Sequence, residues 1–137
     1  MTITINYVAV LVAAIAAFVL GFLWHGPLFG KQWLKLSGIT PEQMKEAQAQ
    51  NMTPRMVAAF VAQIVMAFVL AQFVALWNAT DIAATVQLAF WVWLGFIVTV
   101  LLNGVLWERR TVSLYLFNIV YHLASLFVMT LILALWQ

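Results

Sequence analysis

The chain has no cysteine. That excludes disulfides, thiolate metal sites and a cysteine nucleophile. Charge is nearly missing too. Only 7% of the 137 residues carry it, against roughly a quarter in an average soluble domain. The four acidic residues, Glu42, Glu46, Asp81 and Glu108, all fall between long apolar runs or at their edges, so no buried carboxylate is available for moving protons. The six basic residues form no run, and nucleic acid is not an expected partner. Of three prolines, Pro27, Pro41 and Pro54, none interrupts the middle of an apolar run.

What remains is apolar: 66% of the chain. A soluble fold of this size cannot hide so much apolar surface, so lipid must be the solvent. Four runs stand out, at about 5–27, 55–77, 84–107 and 112–136. Each has at least about 20 residues, enough to cross a hydrocarbon core of about 30 Å. Thr53 is a candidate N-cap with Pro54 at the first helical position, and Thr80 or Asp81 a candidate cap for the third run. The first run lacks a basic leader and reads as a retained helix. The expected fold is an all-α, integral membrane, four-helix antiparallel bundle, residues 1–137 forming a single transmembrane domain.

Lys31, Lys35, Lys45 and Arg55 lie between runs one and two, and Arg109 and Arg110 between runs three and four. The other side has only Asp81. The positive-inside rule makes the basic side cytoplasmic and puts both termini on the non-cytoplasmic side of the cell (inner) membrane. Glu108, Arg109 and Arg110 read as a tight, charged hairpin turn. Asn78-Ala79-Thr80 matches a glycosylation sequon, a motif with many chance matches.

The most distinctive stretch is Trp24-His25-Gly26-Pro27-Leu28-Phe29-Gly30-Lys31-Gln32-Trp33. Pro27 and the glycines break the first helix, Trp24 and Trp33 suit the headgroup layer, and Lys31 marks the inner face. Residues 28–36 put Phe29, Trp33 and Leu36 on one helical face and Lys31 and Lys35 on another, the pattern of a short helix lying in the interface. Thr40-Pro41-Glu42-Gln43 then reads as a capping box opening a polar, cytosolic helix that runs to about Asn51.

Small or polar residues form one stripe per run: Ala9, Ala13, Ala17, Gly21 and His25; Ala59, Gln63, Ala67, Ala71 and Ala75; Gly95, Thr99 and Asn103; and Thr111, Tyr115, Asn118, His122 and Ser125. Such stripes let transmembrane helices approach closely, so all four are expected inside. His25, Gln63, Asn103, Asn118, Tyr121, His122 and Ser125 would then share a polar pocket in the cytoplasmic half, with Asn103 about 6 Å deep and His122 about 16 Å. The plainest reading of Gln63, Asn103 and Asn118 is hydrogen bonding between helices, and of His122 a neutral core histidine. Two histidines at different depths make a poor metal site, and no metal or other cofactor is expected.

The decamer Trp24 to Trp33, the stretch from Asn103 to Arg110 with Trp107 before Glu108, and the pair Tyr121-His122 together resemble the domain-of-unknown-function 1761 family of small membrane proteins over nearly the whole chain. The resemblance implies a four-helix architecture and carries no activity. His25 stands where that family usually has Tyr.

Three functions follow for testing. The first is a non-enzymatic, oligomeric or accessory membrane component, with a second copy or a membrane complex as partner. The second is a small-solute or proton-coupled transporter using His122. The third is a lipid-binding or lipid-modifying protein opening to the inner leaflet, where Lys31 and Lys35 attract anionic lipids. No nucleophile–base pair is legible, so an enzyme is the less favoured class.

Overall fold

The computed structural model of the chain describes residues 3–137. It is an all-helical four-helix bundle. Its spans are Tyr7–Leu28, Thr53–Trp77, Ile82–Trp107 and Val112–Leu135, each long and apolar enough to cross a membrane. In chain order the elements are α1 (Tyr7–Leu23), a π-helical turn (Trp24–Leu28), α2 (Gly30–Ser37), α3 (Pro41–Ala49), α4 (Thr53–Trp77), α5 (Ile82–Trp93), a second π-helical turn (Leu94–Val98), α6 (Thr99–Trp107) and α7 (Val112–Leu135). The connection between the first two spans is therefore helical in both stretches where helices were expected, as α2 and α3.

Local chemistry sets the ends. Asn6 Oδ1 accepts from the amides of Val8 and Ala9 at 3.1 and 3.2 Å and starts α1. Thr40 and Gln43 form the reciprocal capping box of α3, each bond 3.1 Å. Asp81, not Thr80, caps α5 through Ala84 N at 2.8 Å. At α4 the expectation shifts by one position. Thr53 is the first helical residue, and its amide is held by Asn51 Oδ1 at 3.1 Å. Asn78 takes left-handed dihedrals (φ 57°) just past α4, with Ala79 N on Val74 O and Asn78 N on Ala75 O, a Schellman closure. Asn78 thus has a structural job at the helix end.

α7 is the hub. It packs against α1, α4, α5 and α6, and against α2 at one end. α1 also packs along α4, whereas α4 and α5 barely touch. Alanines make the close approach of α1 possible: Ala9, Ala13, Ala14 and Ala17 are at most 1% exposed. Hydrophobicity does not drive helices together in lipid, and this small-residue fit replaces it. At the end without basic residues the chain ties itself shut. Asn6 Nδ2 donates to Trp136 O at 3.3 Å, and Gln137 Nε2 to Ala79 O at 3.1 Å. Asn6 and Gln137 therefore lie at the end of the α4–α5 turn, and all six Lys and Arg lie at the opposite end.

The third span departs from the sequence expectation. In α5, Thr85, Leu88 and Ala89 are buried and Val92 and Trp93 half-buried. An unbroken α-helix would continue that face through residues 96, 99, 100 and 103. The π-turn at Leu94–Val98 inserts one residue and rotates the rest by about 100°. The face then continues through Ile97, Leu101, Gly104 and Val105, while Phe96, Thr99, Val100 and Asn103 are exposed. The Gly95–Thr99–Asn103 stripe, expected inside, faces outward.

Candidate functional site

The first π-turn shapes the basic end. Pro27 has no amide hydrogen to give to the preceding turn, and Gly26 has left helical dihedrals (φ −120°, ψ −105°). Phe29 N reaches back to Trp24 O at 3.1 Å, and the chain turns sharply into α2. A methyl group at Gly30 would sit 3.0 Å from His25 O, so any side chain is tight against the backbone where the chain folds over itself. Gly38, with φ 72°, ends α2. Lys31, Gln32 and Lys35 are exposed, whereas Trp33, Leu34 and Leu36 are half-buried, as expected for a helix lying with one face down. Ser37 Oγ closes onto Trp33 O at 2.7 Å.

The fold-back docks on α7 through rings. Trp24 lies 4.7 Å from Phe29, 6.0 Å from Phe117 and 5.9 Å from Tyr121, centroid to centroid. His25 meets Tyr121 at 4.8 Å, Trp33 at 5.5 Å and Phe117 at 6.1 Å, all edge-on. Such pairs contribute about 0.5–1.5 kcal/mol each beyond the area they bury. His25 Nδ1 is 3.0 Å from Gly21 O. A carbonyl only accepts, so Nδ1 carries the hydrogen of this contact. Tyr121 reaches over Gly21 so closely that a Cβ there would lie 2.7 Å from its Oη. On the far side of Tyr121 is His122, 4.9 Å away.

The expected polar pocket is therefore partly assembled. His25, Tyr121 and His122 come together, with Ser125 buried one turn further along the Tyr121 face of α7. Gln63 is half-buried in α4, and its Oε1 is enclosed without a hydrogen-bond partner in the protein. Two expected members belong elsewhere. Asn118 opens onto a separate crevice of about 20 Å³ between α6 and α7, with Leu101, Val105, Arg110, Leu114 and Tyr115. Asn103 is exposed because of the π-turn phase shift. Trp24 Nε1 is also enclosed and unpaired.

Sequence reasoning missed two groups. Phe117 touches Trp24, His25 and Phe29, and its place four residues before Tyr121, on the same helical face, was the available signal. The other is the clamp on the third span. Trp93 Nε1 donates to Ile119 O at 2.7 Å and Tyr115 Oη to Val98 O at 2.8 Å, one just before the second π-turn and one at its last residue. Beyond the clamp, Glu108 and Arg110 form an exposed ion pair at 3.3 Å. Arg110 lies over Gly104, and Arg109 holds a left-handed turn at φ 59°. Among the described residues no three His, Asp or Glu side chains converge.

Chemically, the basic end offers an aromatic surface, an imidazole and a fringe of ammonium groups. Comparison with curated proteins and with solved structures gives no match. One family model does match, described as "Protein of unknown function (DUF1761)", and it spans residues 8–134. That range takes in all four apolar helices, the ring cluster of the first π-turn and the clamp of the second, so the chain belongs to the DUF1761 family.

Proposed function

We propose that this protein is a non-enzymatic component of the cytoplasmic membrane that works as an assembly of copies joined through the outward face of its third span. The observation that carries this reading is Asn103. It sits on a membrane-length helix, exposed, about one turn from the end of that helix, with no side-chain hydrogen bond among the described residues. A carboxamide facing hydrocarbon gains by pairing across helices. Gly95, two turns before it on the same span, has no heavy atom of a neighbouring element within 4 Å of an added Cβ, so a neighbour can approach closely there. Thr99, between them, already satisfies its hydroxyl on Gly95 O at 2.6 Å. The basic residues at one end support placing that end in the cytoplasm and both termini outside.

The test exploits the absence of cysteine: any introduced thiol is the sole one. Asn103→Cys and Thr99→Cys, oxidised in native membranes, should give cross-linked dimers. Val61→Cys, equally lipid-facing on α4 at 51% exposure, should stay monomeric. Monomer at all three positions ends the reading.

A further inference from the structure

A cavity of about 500 Å³ opens at the first π-turn, lined by Gly26 through Gln32. It exists because the chain leaves helical geometry at Gly26 and folds back at Phe29. Its lining is two-sided. Pro27, Leu28 and Phe29 form an apolar wall, and Leu28 is 60% exposed. Lys31 and Gln32 form the polar rim, both exposed and both able to donate hydrogen bonds. Lys31 is the one ionisable residue of the lining, and no carboxylate faces it there. Trp24 and Trp33 flank the stretch, and tryptophans favour the headgroup layer.

We propose that this cavity seats the phosphate-bearing headgroup of an anionic phospholipid at the basic membrane face. The ammonium of Lys31 pairs with the phosphate in a charge-assisted hydrogen bond, Gln32 adds a neutral donor, and the Pro27–Phe29 wall lies along the first part of the lipid tail. A free anion would use the rim and leave the wall idle, which is why the lipid is the favoured source. The inference does not depend on assembly through the third span, because it concerns a different face and a different residue set.

The experiment uses the full chain in bilayer discs of phosphatidylcholine with a minority of phosphatidylglycerol, then releases it and measures retained phosphatidylglycerol by native mass spectrometry. Lys31→Gln should lower retention about tenfold. Lys35→Gln removes the same charge one turn away, outside the lining, and should lower it by at most about fivefold, the diffuse share of one lysine. Both positions are exposed, so both variants should keep the wild-type elution volume and helical circular dichroism. Equal losses in the two variants would mean diffuse attraction and overturn the site, as would no retention by the wild type. A second arm titrates inorganic phosphate into the detergent-solubilised protein and follows tryptophan emission. No response supports the lipid as source, whereas a saturable response abolished by Lys31→Gln without selective lipid retention would assign the cavity to a free anion and overturn the proposal.

Discussion

The third and fourth spans are nearly the same by composition and differ in what they do. They have 26 and 24 residues and mean hydropathies of 2.1 and 2.0. Yet 39% of the most apolar stretch of the fourth is buried inside the protein, against 11% of the third. Polar residues in the fourth span turn inward: Tyr121, Ser125 and Thr130 are all at most 8% exposed. Thr99 and Asn103 of the third turn outward. In water the difference would register as a difference in apolar content. In lipid it cannot, because the surroundings are as apolar as the core, and facing is decided by close fit and by a few hydrogen bonds.

The sharpest way to break this comparison uses two glycines in matching Leu-Gly-Phe contexts. Gly21 lies under Tyr121, whereas a Cβ added at Gly95 would meet no heavy atom of a neighbouring element within 4 Å. Gly21→Leu forces α1 away from α7 and should cost about 3 kcal/mol, the upper range for overpacking. Gly95→Leu should change monomer stability by less than about 0.5 kcal/mol. Thermal unfolding in detergent checks both, and equal losses would mean that the two spans are not enclosed as differently as described.

Next in size is the clamp. Trp93→Phe and Tyr115→Phe each delete one donor to a carbonyl on the facing helix, and each should cost about 0.6–1.7 kcal/mol. Together they should raise hydrogen exchange across residues 94–107 and leave α1 protected. Uniform loosening would show that the third span is held by packing alone.

A smaller effect of opposite sign is expected at Thr130, whose buried hydroxyl has no partner. Thr130→Val keeps the shape and removes an unsatisfied group, so it should stabilise by about 0.5–1 kcal/mol in the same unfolding assay. The smallest effect on the folded monomer belongs to Asn103→Leu, below about 0.5 kcal/mol. The same change should abolish the assembly seen by native mass spectrometry, and persistence of the oligomer would count against Asn103 as its contact.

The spans, the α2–α3 connection, the capping box at Thr40 and Gln43 and the gathering of charge at one end were legible in the sequence, because each depends on composition or on residues a few positions apart. The nearness of His25 to Tyr121 and His122 was legible only as a shared end of the bundle, since by sequence the two histidines fall at different depths. The facing of Asn103 was not. A period of four through Gly95, Thr99 and Asn103 assumes an unbroken helix, and nothing in Leu94–Val98 announces the inserted residue. Asn118 went astray for a related reason: its neighbours come from α6, which is itself displaced by that turn. The Leu20-Gly21-Phe22 and Leu94-Gly95-Phe96 stretches look alike, yet only the first glycine has a ring against it.

The second π-turn has a consequence for how this molecule can change. It lets the third span absorb a change in chain length. Removing a single residue between Leu94 and Val98 would close the turn into regular α-helix and leave Thr99–Trp107 facing as it does now, because the turn accommodates the one residue by which the two halves are out of step. Closing the turn at unchanged length would instead swing that half by about 100° and carry Asn103 from the lipid toward the hub helix. A one-residue deletion here is therefore a milder edit than the same deletion elsewhere in the span, because only here is an extra residue already accommodated.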